Sequence, residues 1–261
     1  MSSTTLAPAS TPAARRAEPH RPSLLRLTAV ELRKSTDTRA GRWLLVVVGL
    51  LALVGLAYRL WNAGEGPTTY RSYAGTALDA SGDLLPVIAV LAMTSEWTQR
   101  TALTTYALVP RRGRVLTAKL TAVLLVGTAV VAVVAAVSAL AALAGALLAG
   151  DSVSWDGAVE VLGGQLLSTL LLVLVGAGLG ALLQQTPAAL ITYFVAPVLV
   201  TAAGAALVGD SVEWFSVLTA TARVGALDLS GAVAPTLTAL ALWIALPLAL
   251  GTLRTLRRDV G

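Results

Sequence analysis

Apolar and polar positions along this chain fall into long blocks. Six apolar stretches can be marked, at roughly 43–60, 75–95, 119–148, 162–183, 188–208 and 232–252. A helix of about 20 residues, rising 1.5 Å per residue, crosses a hydrocarbon core of about 30 Å, so each stretch predicts a membrane span. Two are unusual. The second is cleanly apolar only from Leu84 to Thr94 and takes in Asp79 and Asp83, which the pattern places at the outer headgroups. The third runs from Leu120 to Ala149, roughly 45 Å as a helix, and is expected to tilt or to project beyond the bilayer.

The polar blocks divide the rest. Residues 1–22 are rich in Ser, Thr, Ala and Pro without apolar periodicity, which reads as a disordered tail. Over 23–42, Leu25, Ala29 and Leu32 share one helical stripe opposite Arg26 and Arg33, with Val30 on the polar side. This predicts an amphipathic helix on the headgroups, with an inward extension of the first span as the alternative. The six-span domain then occupies 43–252, and 253–261 form a basic tail. Between spans five and six, Val212, Phe215, Leu218 or Thr219, and Ala222 recur at helical spacing, predicting an external amphipathic or re-entrant helix. Pro197 and Pro247 fall inside spans and are expected to kink them.

Composition agrees with the blocks. Of the 261 residues 56% are hydrophobic and 13% charged, with a mean hydropathy of +0.77, outside the range of ordinary soluble domains. The fold class is all-α, an integral membrane protein. No short apolar stretch with a small-residue cleavage site precedes the first span, so that span is expected to stay in the membrane. Cysteine is absent, which excludes disulfides and thiolate chemistry.

Charge sets the topology. With cytoplasmic termini, sixteen of the 19 Lys and Arg residues fall on inside pieces, and only Arg59, Arg71 and Arg223 fall outside. Trp43, Tyr58, Trp61, Trp97, Trp155 and Trp214 lie near span ends, as in interfacial belts, whereas Tyr193, Phe194 and Trp243 fall deeper and read as packing residues. The net charge of +5 is then topology and lipid headgroup contact, and no nucleic-acid partner is expected.

One inside piece stands out, SEWTQRTALTTYALVPRRGRVLTAK from Ser95 to Lys119. Placing Arg100, Arg111, Arg112, Arg114 and Lys119 in lipid would cost roughly 15 kcal/mol, so the segment lies outside the bilayer. Thr94 or Ser95 can cap a helix start, with Glu96 in its first turn. Ala102, Leu103, Tyr106 and Val109 form an apolar stripe opposed by Thr98, Thr101 and Thr105, and Pro110 ends the helix. An apolar stripe beside a basic corner points to docking on a cytosolic partner.

Glu96, Thr101, Leu108, Pro110, Arg112 and Lys119 occur in an order and approximate spacing that resemble the intracellular element of bacterial type-2 ABC transporter permeases. Arg100 stands where that family usually has glycine. The layout is similar too, with a basic amphipathic helix carrying Glu31, Arg33 and Lys34, six spans, and a helical insertion between the last two. The resemblance implies an exporter permease that pairs with a second copy or paralogue and with a separate ATPase. The helix from Glu96 to Val109 would be its coupling helix, with Glu96, Arg100, Thr101, Tyr106, Pro110, Arg111 and Arg112 facing the ATPase.

Other classes find less in the residues. No phosphate-binding GxxxxGK[ST] loop occurs, so ATP is expected on the partner, and no cofactor or metal on this chain. A secondary transporter would place an ionisable residue at mid-membrane, for which Asp79 and Asp83 are the only candidates. Serine–histidine and HExxH chemistry lack a membrane histidine, since His20 lies in the tail, and the chain is not expected to be an enzyme. A membrane anchor or scaffold remains open. Gly176 and Gly180 make a GxxxG that packs helices inside the chain or at a dimer seam. The few polar groups in the spans favour an apolar or amphipathic cargo.

Overall fold

A computed structural model describes residues 23–66, 68–99 and 112–257. The described residues are helical apart from short connections and one isolated bridge between Thr69 and Ser154. Among the described residues, six helical segments are long and apolar enough to cross a membrane. The chain is a multi-pass helical membrane protein.

Helix α1 (Leu24–Asp37) starts at Ser23, whose hydroxyl accepts the Arg26 amide, and Thr38 caps α2 (Arg39–Trp61) by accepting the Gly41 amide. The first span therefore begins about one turn before the apolar run read from the sequence. The second span is two half-helices, α3 (Tyr70–Gly82) and α4 (Leu85–Thr98), with a break at Asp83 and Leu84 just before Pro86. Helix α5 (Arg112–Ala149) has 38 residues, about 57 Å of helix, and extends the third span further than its apolar run predicts. Helices α6 (Ala158–Leu183) and α7 (Thr186–Val208) are joined by Gln184 and Gln185, with Gln184 in the left-handed region at φ 55°. The last span comprises α9 (Val233–Leu240), a π-helical turn (Ala241–Ala245) and α10 (Leu246–Arg257), so the irregularity expected from Pro247 lies in the turn before it. Pro197, by contrast, lies within a continuous α7.

Between α7 and α9 the chain folds back into the bundle. A 3-10 turn (Gly209–Trp214) sets Val212 against Gly204, and Ser216 meets Thr201 at 2.8 Å. Helix α8 (Val217–Gly225) then climbs along α6, from Val217 beside Val175 and Tyr193 to Gly225 against Gly164. This is the re-entrant form of the insertion. Irregular backbone at membrane depth needs partners inside the protein. Here Ser216 is fully buried and accepts the Thr219 amide at 3.1 Å, Trp243 donates its indole N–H to the Phe215 carbonyl at 2.8 Å, and Arg223 pairs with Glu213.

Helix α6 is the hub, packing on α3, α4, α5, α7, α8 and α10. Small residues let its neighbours approach. A Cβ on Gly176 would stand 2.6 Å from the Pro86 carbonyl oxygen, and one on Gly180 would stand 2.9 Å from the Met93 Cβ. The GxxxG face thus packs α6 on α4 within the chain. At the end of the bundle opposite the basic residues, Tyr70 stacks on Trp155 at 5.1 Å, and Arg59 lies over the Tyr73 ring at 5.4 Å while donating to Ser72.

Candidate functional site

Two sites emerge, one at the basic end of the bundle and one halfway along it.

At the basic end, Glu31 and Lys34 of α1, Glu96 of α4 and Lys119 of α5 form an ion cluster among the described residues. Lys34 Nζ lies 2.7 Å from Glu31 Oε1 and 3.2 Å from Glu96 Oε1. Lys119 Nζ lies 3.3 Å from Glu96 Oε1, 3.4 Å from Glu31 Oε2, and donates to the Ala92 carbonyl at 2.8 Å. Glu31, Glu96 and Lys119 are 6, 5 and 4% exposed, so three of the four charges are out of solvent. Buried charges persist only when paired and hydrogen-bonded, and this cluster balances two acids against both lysines of the chain. Burial pulls the Lys34 ammonium downward, but the hydrogen bond it donates to Glu31 and the charges of Glu31 and Glu96 more than offset it and raise its pKa above 10.5.

The cluster revises two sequence expectations. Ser95 does not start a new helix: with no breaker at 94–96, the second span runs on to Thr98 and puts Glu96 in its last turn. An acid there opposes the helix dipole, and the two ammonium groups beside it supply the compensation. Helix α1 also turns a different face inward. Thr28 and Glu31 are buried, whereas Leu25 is 84% exposed and Ala29 is exposed as well. The ion cluster draws the acid toward α5, which leaves Leu25 and Ala29 of the expected apolar stripe pointing away from the bundle, while Leu32 is half-buried and packs on the core.

Other residues singled out by the sequence are placed as follows. Arg33 is exposed on α1, away from the cluster. Arg112 opens α5 and donates to the Thr255 carbonyl at 2.9 Å, tying α5 to α10. Gly176 and Gly180 lie in the α6–α4 seam. Arg100, Thr101, Tyr106, Pro110 and Arg111, and with them most of the expected coupling helix, lie outside the described residues. Sequence reasoning did not foresee that Lys119 joins Glu31; the available signal was that the only two lysines lie at the same membrane face as two acids.

The second site surrounds the break in the second span. With α3 extending to Tyr70, Asp83 lies thirteen residues from Tyr70 and thirteen from Glu96, about 20 Å of helix either way. The outer-headgroup position expected for Asp83 is therefore corrected to mid-span, because the polar residues 70–83 are helical and part of the span. A cavity of 330 Å³ opens there, bounded by Asp83, Ser168 and Leu172 of α6, Tyr193 and Phe194 of α7, and the tip of the re-entrant segment at Val217 and Thr221. The Tyr193 hydroxyl donates to the Asp83 carbonyl at 3.4 Å, and its ring meets Phe194 edge-on at 4.9 Å. Asp79, one turn away, accepts from the Gln165 amide at 2.5 Å.

Among the described residues no group of three or more His, Cys, Asp or Glu side chains is arranged to hold a metal ion. No family model matches the chain, and no curated protein matches it in sequence.

Proposed function

We propose that this chain is the membrane-spanning subunit of an ATP-driven exporter of an apolar or amphipathic substrate, acting with a second permease copy or paralogue and with a separate ATPase. The termini and the basic end face the cytoplasm, following the bias of Lys and Arg. The observation that carries the reading is the ion cluster. It fastens α1, the end of α4 and the start of α5 to one another through Glu96 and Lys119, which stand at the two ends of the segment Ser95 to Lys119 whose sequence resembles an ATPase-docking element. A push on that segment would be shared by three helices and passed along α4 to the break at Asp83.

The test is purification from native membranes in mild detergent. An ATPase carrying a phosphate-binding loop should co-purify and hydrolyse ATP, and Glu96→Ala should uncouple that hydrolysis from transport while leaving insertion intact. Absence of any ATPase from the complex overturns the reading.

A second reading, a secondary transporter, draws support from Asp83, since an ionisable residue at a mid-membrane helix break is a common site of ion coupling. Transport in proteoliposomes driven by an ion gradient without ATP would favour it.

A further inference from the structure

We infer that the cavity at the break of the second span is a binding site for a lipophilic cation, an ammonium head on an aryl or alkyl body, with Asp83 as its counter-ion. The inference rests on reading the chain as a transport subunit and names the class of molecule it would carry. Two acids lie near the break, and they are treated differently. Asp79 is answered by Gln165, whereas among the described residues no side chain donates to the Asp83 carboxylate and no basic residue lines the cavity. A carboxylate at mid-membrane without a partner is costly, so the site favours a positive charge. The walls fit the rest of such a molecule. Leu172, Val175, Val198 and Val217 are apolar, and the Tyr193 and Phe194 rings are available for cation–π contact. The Ser168 hydroxyl, uncommitted among the described residues, offers one polar contact. A volume of 330 Å³ falls at the small end of small-molecule sites, which run from about 300 to 1,000 Å³.

The test compares benzyltrimethylammonium with its uncharged isostere neopentylbenzene by equilibrium binding to the purified full chain in lipid nanodiscs, without any ATPase. Wild type should bind the cation saturably at one site per chain and the isostere at least tenfold more weakly. Asp83→Asn should lose at least tenfold in affinity for the cation, Asp83→Glu should stay within about threefold, and Asp79→Asn should bind as wild type. Equal binding of cation and isostere, or undiminished binding by Asp83→Asn, overturns the proposal. The comparison of the two probes on wild type decides the matter even if Asp83→Asn does not fold. Because no ATPase is present, a negative result leaves the permease reading standing, and failure to recover an ATPase leaves this one standing.

Discussion

Lys119 Nζ and Glu96 Oε1 lie 3.3 Å apart, joining the start of α5 to the end of α4 across a site from which both residues are excluded from solvent. Taking one partner of a buried pair away strands the other, at a cost of about 3–5 kcal/mol, whereas replacing both is often close to neutral. Lys119→Met should therefore lower the melting temperature in detergent markedly. Glu96→Gln combined with Lys119→Met leaves the charge-balanced pair of Glu31 and Lys34 and should recover more than half of the loss. A double variant no more stable than Lys119→Met would show that the pair is not coupled as described.

Lys34 sets a pH limit on the same cluster. Its pKa is raised in the folded chain, so its contribution is complete below 10.5 and is lost as pH rises through the higher folded value. The melting temperature should fall with a steeper slope above pH 10.5 in wild type than in Lys34→Gln. Below that pH the difference between the two should be constant as far as Lys34 is concerned.

The seam between α6 and α4 offers a steric test. Gly176→Ala places a methyl group against the Pro86 carbonyl, a backbone atom that cannot swing aside. Overpacking of this kind costs about 1–3 kcal/mol. Gly49→Ala, where a Cβ meets nothing within 4 Å, should leave thermal stability unchanged or slightly improved.

The re-entrant turn depends on the indole of Trp243. Trp243→Phe keeps the aromatic bulk but leaves the Phe215 carbonyl without its donor, an unmet hydrogen bond worth about 1–3 kcal/mol. Hydrogen exchange at 209–217 should accelerate more than at α2, which serves as the internal reference.

Because the chain has no native cysteine, single-cysteine variants can be labelled directly. Asp156→Cys should react with a membrane-impermeant maleimide on intact cells, and Arg257→Cys only after permeabilisation. The reverse pattern would invert the orientation.

The number and approximate limits of the spans were legible in the sequence because apolar blocks of about 20 residues have few other uses. What the blocks could not convey was contact between distant charges. Glu31 and Glu96 each had a local setting, a basic amphipathic helix and a helix start, and only the tertiary fold brings them to the same two lysines. Asp83 was misplaced for a related reason. Only Leu84 to Thr94 reads as cleanly apolar, yet Tyr70 to Gly82 is helical too, with Tyr70, Tyr73, Ala77 and Leu78 buried against neighbouring helices instead of facing lipid. The re-entrant form of 209–225 was one of two options in the periodicity, decided by hydrogen bonds with Thr201 and Trp243 that no local pattern announces.

Helix α6 touches backbone or near-backbone atoms of three neighbours through its glycines: Gly225 beyond Gly164, Pro86 beyond Gly176, and Pro247 at 3.2 Å from a Cβ on Gly178. With no side-chain cushion at these points, the helix has the geometry of an axle, and the parts mounted on it cannot slide independently. A rotation begun at the ion cluster and passed through α4 to this axle would therefore reach the cavity rim as a turn of whole helices, leaving little slack to absorb it on the way.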